Sequence, residues 1–416
     1  MAKSLKRELG FWDAVAIGIA AMVGAGIFVV SGIGAKMAGA GVIFAFLIAG
    51  VVALLSALSS AELGAAIPRE GGTYEYARRL VSHKIGFYTG WLFVSSKLLE
   101  SATVALAFGA YASFFLNADA KMLAVLAVVA STAVNVWGIR ASTEANKIMA
   151  LIKLAVLAAF ALFGASTVKT ANFQPLAPSG VEGILAASAI VFFAYTGYAR
   201  IATLGEEIKN PRKTIPKAIL ASMAITAFVY IAVISVAIGL VGAKAFAESA
   251  SPIAAAASSL GLPWLVLLVG LGAAVATVSV LLGDLLASSR TAFAMARNGD
   301  LPAFLSQLKN KNPENSVIAA GAAVLALTLA GSLLQIAAFT SLTILLYYAV
   351  TNWSALKLPA ARRLFSKWVS RAGFACCVGL AVFLPLEQWA WTVGLLALGA
   401  LYLALQGKSR GLPSRA

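Results

Sequence analysis

The sequence is poor in charge, in histidine and in cysteine. Only 12% of its 416 residues are charged, and just 16 are acidic, too few to cover a water-soluble chain of this length. One histidine, His83, and two cysteines, Cys376 and Cys377, are present. This supplies no His/Cys/carboxylate set for a metal and no Ser/His/Asp arrangement for nucleophilic catalysis. No metal, no cofactor and no enzyme are therefore expected. Adjacent cysteines in an apolar run cannot build a disulfide framework and read as small core residues. Also missing is alternation of apolar and polar positions over about ten residues, which argues against a membrane β-barrel.

What is abundant is apolar sequence: 61% hydrophobic residues and a mean hydropathy of +0.91. Runs of helical length mark an all-α integral membrane protein, multi-pass and surrounded by lipid. Twelve spans are expected, at roughly 12–36, 41–67, 86–116, 119–138, 148–168, 183–204, 214–242, 262–296, 316–331, 334–357, 372–386 and 388–406. The first run follows Lys3, Lys6 and Arg7 and is too long for a cleaved signal segment, so it is expected to remain as the first span. The formal charge of +16 follows topology and does not point to nucleic acid. With the N-terminus inside, 24 of the 32 Lys and Arg fall in inner segments, and four, Lys36, Lys121, Lys169 and Lys244, fall outside. Both termini are thus expected on the cytoplasmic side of the cell membrane.

Two spans are interrupted. In the first, Val23-Gly24-Ala25-Gly26-Ile27 places two poor helix formers in mid-span, where unwound backbone must face protein or water. Two half-helices would result, with orphan carbonyls near Ala21 and Met22 and free amides around Ala25, Gly26 and Ile27. Such a break suits a zwitterion, carboxylate on the amides and ammonium on the carbonyls. Close helix packing through small residues accounts for the same glycines equally well. The sixth span carries a second interruption, Phe192-Phe193-Ala194-Tyr195-Thr196-Gly197. Breaks in spans one and six are the sign of a five-plus-five inverted repeat, with units 12–168 and 183–357 inside a single domain 1–416, followed by two peripheral helices at 372–406.

Charges inside spans are few. Lys153 stands in an apolar face of the fifth span, where an ammonium costs about 2.5–3.5 kcal/mol and needs a partner, a water path or loss of its proton; snorkelling to the inner surface is the alternative. Charged, it would donate to the carbonyls near Ala20 and Ala21 and to hydroxyls such as Ser279, which would make it the carrier of a coupling proton. In the third span Lys97 and Glu100 are i, i+3 neighbours, and Asp284 is an intramembrane carboxyl in the eighth. Lys97 and Asp284 are expected either to pair or to meet a charged substrate. The inner loop from Pro68 to Arg79 reads as a polar, helix-compatible surface run, either a gate or an interfacial anchor.

These residues resemble the amino acid-polyamine-organocation transporters, with the leucine-transporter type of fold. The likeness runs from Glu8-Leu9-Gly10 through Val23 to Phe28, Glu70-Gly71-Gly72, Phe193 to Gly197, and Glu206-Glu207-Ile208-Lys209-Asn210-Pro211-Arg212-Lys213-Thr214-Ile215-Pro216, to Ala294-Met295-Ala296-Arg297-Asn298-Gly299-Asp300-Leu301-Pro302. The resemblance implies a sodium-independent carrier of amino acids or amines, in which spans 1, 2, 6 and 7 rock against spans 3, 4, 8 and 9. It further implies that Phe193 closes over substrate, that Lys153 occupies the place of a coupling ion, that Lys97 and Ser101 lie beside the substrate side chain, and that Phe93 lies at the inner gate. The expected substrate site comprises Ala21, Met22, Gly24, Ala25, Gly26, Ile27, Lys97, Ser101, Phe193, Ala194, Thr196, Gly197 and Asp284. The expected function is proton-coupled transport of an amino acid or amine by alternating access. Exchange or export on the same fold is the alternative, and a membrane-embedded enzyme or receptor is disfavoured for want of catalytic residues.

Overall fold

The computed structural model describes residues 8–67, 72–138, 143–203, 207–309 and 312–409. Pro68–Gly71 and Glu206, named above as motif residues, lie outside these. The chain is helical, with sixteen α-helices among the described residues. The first five are α1 (Phe11–Met22), α2 (Ser31–Ala38), α3 (Val42–Ala66), α4 (Gly72–Leu80) and α5 (His83–Leu116). Then follow α6 (Ala120–Val136), α7 (Thr143–Ala165), α8 (Gly180–Val191), α9 (Ala199–Thr203) and α10 (Pro211–Glu248). The remainder are α11 (Pro252–Ser258), α12 (Pro263–Arg297), α13 (Glu314–Ala330), α14 (Leu333–Leu356), α15 (Lys367–Val382) and α16 (Leu386–Ser409). Eight helical stretches among the described residues are long and apolar enough to cross a membrane, and α1, α6 and α13 are shorter apolar helices.

Helix ends follow local chemistry more closely than hydropathy. Ser82 caps α5 by accepting from the Ile85 amide at 3.2 Å, and Asp119 caps α6 by accepting from Met122 at 2.7 Å, each satisfying a donor that the first turn leaves free. The eleventh apolar run, expected to start at 372, begins five residues earlier: Ser366 accepts from the Trp368 amide at 3.4 Å, so Lys367 and Arg371 are helical. Hydropathy places a start where charge ends, whereas the cap places it where the backbone turns.

Two packing groups emerge. α12 packs along α5, α6, α7 and α13, while α10 packs against α1, α3 and α7, and α14 contacts α5, α3 and α15. Two of the quoted motifs meet in space: the Leu9 amide donates to Glu207 O at 3.0 Å and the Lys209 amide to Leu9 O at 2.9 Å, fixing the start of α1 to the entry of α10. The described part of the Pro68–Arg79 run is helical as α4, and Tyr74 anchors it, donating to Asp300 Oδ2 at 2.7 Å and accepting from Asn298 at 2.9 Å. Burial, then the bond to Asp300, pushes the Tyr74 phenol up from its ordinary pKa, so it stays a neutral donor. α15 buries Ser370, Gly373, Cys377, Leu380 and Ala381 against α14 and α3, whereas much of α16 is exposed.

Candidate functional site

The backbone unwinds at both places where glycine interrupts an apolar run. α1 ends at Val23, which is extended (ψ 100°), and the chain resumes through a wide π turn, Gly26–Val30, before α2. Between α8 and α9 the seven residues Phe192–Tyr198 wind as a tight 3₁₀ stretch. Every residue of both segments is buried.

The two breaks lie directly against each other. A Cβ on Gly26 would fall 2.3 Å from Ala194 Cβ, and one on Gly197 would fall 2.4 Å from the Ala21 carbonyl carbon. Gly24 instead faces a side chain, Val280 of α12, at 2.9 Å. Close approach and unwinding are therefore both served by these glycines.

Unwound carbonyls need donors, and tyrosines supply them. Tyr230 Oη of α10 lies 2.8 Å from Met22 O and 3.2 Å from Ala194 O, bridging the two breaks. Tyr348 donates to Thr196 O at 3.1 Å and Tyr111 to Phe28 O at 2.8 Å. Thr196 turns its hydroxyl onto Phe193 O at 2.8 Å. The amides of Ala25, Gly26 and Ile27 open a helical segment, and helix geometry gives such amides no partner within it. Donor-rich and positive in local dipole, they form the part of the site suited to an anion.

Lys153 of α7 is fully buried, and its Nζ lies 2.6 Å from Ala20 O, in the last turn of α1 before the break. Ser279 is not among its bonded partners: the Ser279 hydroxyl turns back onto Ala276 O at 3.0 Å. A second link, Lys147 Nζ to Asp13 Oδ1 at 2.6 Å, ties the N-terminal ends of the same two helices. Six residues separate the lysines and seven separate Asp13 from Ala20; at about 1.5 Å per residue the contacts are nearly in step, as in parallel helices.

Below the breaks lies a cluster of four charges. Lys97 Nζ is 2.5 Å from Glu100 Oε2 and 3.2 Å from Asp284 Oδ1, and Arg200 Nη2 of α9 is 3.5 Å from the same Asp284 oxygen. Asp284 of α12 thus joins Lys97 of α5 to Arg200 of α9, and Lys97 also pairs with Glu100 on its own helix. Two buried oxygens, Asp284 Oδ2 and Ser101 Oγ, have no hydrogen-bond partner. Gly283 makes room for Arg200, since a Cβ there would sit 1.8 Å from Nη2. Val280 and Asp284 are one turn apart on α12, so a single helix face touches both the first break and the cluster. Phe93 stacks obliquely near Tyr347, ring centroids 5.3 Å apart, and Phe193 is 4% exposed.

The sequence reading left Arg200, Tyr230 and Tyr348 out of the site. Arg200 had a signal, a charge directly after a break. The tyrosines had only a polar atom in an apolar helix, whose direction sequence does not reveal.

The chain is similar to the amino acid permease family over residues 13–412. An uncharacterized transporter of Mycobacterium tuberculosis is 38% identical over 99% of this chain and 93% of its own length. The branched-chain amino acid permease BcaP of Bacillus subtilis is 32% identical over 75% of this chain and 72% of its own. The chloroplastic cationic amino acid transporter 9 of Arabidopsis thaliana is 30% identical over 73% of this chain and 58% of its own.

Proposed function

The chain belongs to the amino acid permease family, multi-pass membrane transporters and not enzymes, and we propose that it moves an amino acid across the cytoplasmic membrane by sodium-independent, proton-coupled alternating access. The proposed architecture is the five-plus-five inverted repeat with twelve spans and both termini cytoplasmic, which the paired breaks support. In this reading the amides of Ala25, Gly26 and Ile27 hold the substrate carboxylate. Met22 and Ala21 carbonyls share the ammonium with Tyr230. Ala194, Thr196, Gly197 and Phe193 form the facing wall, with Gly24 packed against Val280 of α12.

The observation that carries the coupling is the Lys153 contact with Ala20 O at 2.6 Å. It joins α7, which packs against both α12 and α1, to the broken end of α1. Protonated, the ammonium bonds strongly to a carbonyl that the break exposes; neutral, the amine bonds weakly and leaves the first half-helix free to tilt. Proton binding then biases a two-state equilibrium, as coupling requires. The ion-paired cluster of Lys97, Glu100, Asp284 and Arg200 favours a substrate whose side chain is uncharged, because a charge brought beside Ser101 would have to compete with pairs already formed in a buried space.

The test is uptake by purified protein in sodium-free proteoliposomes. Labelled branched-chain amino acid should accumulate when an inward proton gradient is imposed and should not when an ionophore collapses it. Counterflow into preloaded vesicles should persist in both cases. Accumulation that requires sodium, or that ignores the ionophore, contradicts the proposal.

A further inference from the structure

Where α14 turns into α15 lies an apolar groove of about 290 Å³ lined by Trp353, Leu356 and Phe374. Its rim is basic. From residue 349 to 386 the chain has five Lys and Arg and no acidic residue. One of the five, Arg363, turns inward, donating to Ala355 O at 2.6 Å and Leu358 O at 3.3 Å. The other four, Lys357, Arg362, Lys367 and Arg371, are exposed.

Their placement relates them to the groove. Lys357 directly follows the groove residue Leu356. Lys367, Arg371 and Phe374 fall at i, i+4 and i+7 on one face of α15, so two cations lead down that helix to the groove wall. The Arg371 guanidinium also lies over the Trp368 ring, 5.4 Å from its centroid, and Trp368 is 70% exposed. A cation and an amphipathic ring at the end of a membrane helix belong at headgroup level.

We infer that this groove binds an anionic glycerophospholipid of the surrounding bilayer. Its phosphate rests on Lys357, Lys367 and Arg371, and one acyl chain lies along Trp353, Leu356 and Phe374. The charge selects the headgroup, since basic pockets between membrane helices attract anionic lipids. The apolar walls select a molecule with a chain over a soluble anion, because each buried methylene adds favourable transfer energy. A zwitterionic lipid would fill the walls but gain less from the three exposed cations.

The experiment uses the full-length protein in bilayers of mixed phosphatidylglycerol and phosphatidylcholine, with bromine on the acyl chains of one lipid or the other. Bromine quenches nearby tryptophan, and subtracting the signal of Trp353→Phe isolates the groove. Brominated phosphatidylglycerol should quench Trp353 more than brominated phosphatidylcholine at equal mole fraction. Removing charge by Lys367→Gln and Arg371→Gln should lower the relative affinity for phosphatidylglycerol by about fivefold per charge. High salt should do the same to the unaltered protein, which keeps the test decisive even where a variant folds poorly. Equal quenching by both lipids, or a preference that neither the substitutions nor salt weakens, overturns the inference. So does a Trp353 that neither lipid quenches, the outcome expected if a second protein chain covers the groove.

Discussion

Gly26 and Gly197 stand where the two breaks touch backbone to backbone, while Gly24 stands where a break touches a movable valine. The difference is testable. An alanine at 26 or 197 must push Ala194 or Ala21 main-chain atoms from positions 2.7 and 2.4 Å away, and overpacking of this kind costs about 1–3 kcal/mol. An alanine at 24 need only shift the Val280 side chain. Gly26→Ala and Gly197→Ala should therefore lower the apparent melting temperature in detergent more than Gly24→Ala does, and equal losses would contradict the packing described. The four-charge cluster gives a second prediction. Asp284→Asn removes the carboxylate that Lys97 and Arg200 share, and breaking one side of a buried pair costs about 3–5 kcal/mol. Lys97→Gln combined with Asp284→Asn should lose less than the two singles added together, by about 0.5–3 kcal/mol in a double-mutant cycle on unfolding. Additive losses would mean that the two side chains act separately.

Helices carry the next level of organisation, and α10 is the one that spans both breaks. Tyr230 places one hydroxyl between Met22 O and Ala194 O, and all three residues are buried. Tyr230→Phe should cost about 1–3 kcal/mol, the desolvation of carbonyls left without a donor. The loss should be local: hydrogen exchange measured by mass spectrometry should quicken in peptides covering residues 20–30 and 190–200 and stay unchanged in α12. Uniform quickening, or none, would show that Tyr230 does not hold the breaks together. The breaks were legible in the sequence because glycine in mid-span is a local property of the chain, readable without neighbours. Tyr230 was not, because its acceptors lie 208 and 36 residues away and an apolar helix hides which face its tyrosine presents. The start of α15 was misjudged for a different reason, since a serine cap outranks the hydropathy of the residues that follow it.

Taken whole, the molecule has one group of helices around α5 and α12 and another around α1, α3 and α10, with Lys153 reaching from α7 to the broken end of α1. That contact was legible because a lysine in an apolar face must find an acceptor, and a broken helix is the nearest source of free carbonyls. Ser279, expected as a second partner, is not one, since a helical serine satisfies itself on its own preceding turn, as this one does on Ala276. The charge cluster was half legible: Lys97, Glu100 and Asp284 stood out as intramembrane charges, but that Arg200 joins them depends on how α9 leaves its break. The central proposal is that protonation of Lys153 couples the two groups. Its most direct measurement compares Lys153→Ala and Lys153→Arg with the unaltered protein in sodium-free proteoliposomes under an imposed inward proton gradient, after thermal-shift assays have established amino acid binding. Lys153→Ala should still bind and exchange substrate but fail to accumulate it, and Lys153→Arg, which holds its proton, should neither accumulate nor exchange at the normal rate. Full gradient-driven accumulation by Lys153→Ala would contradict the account.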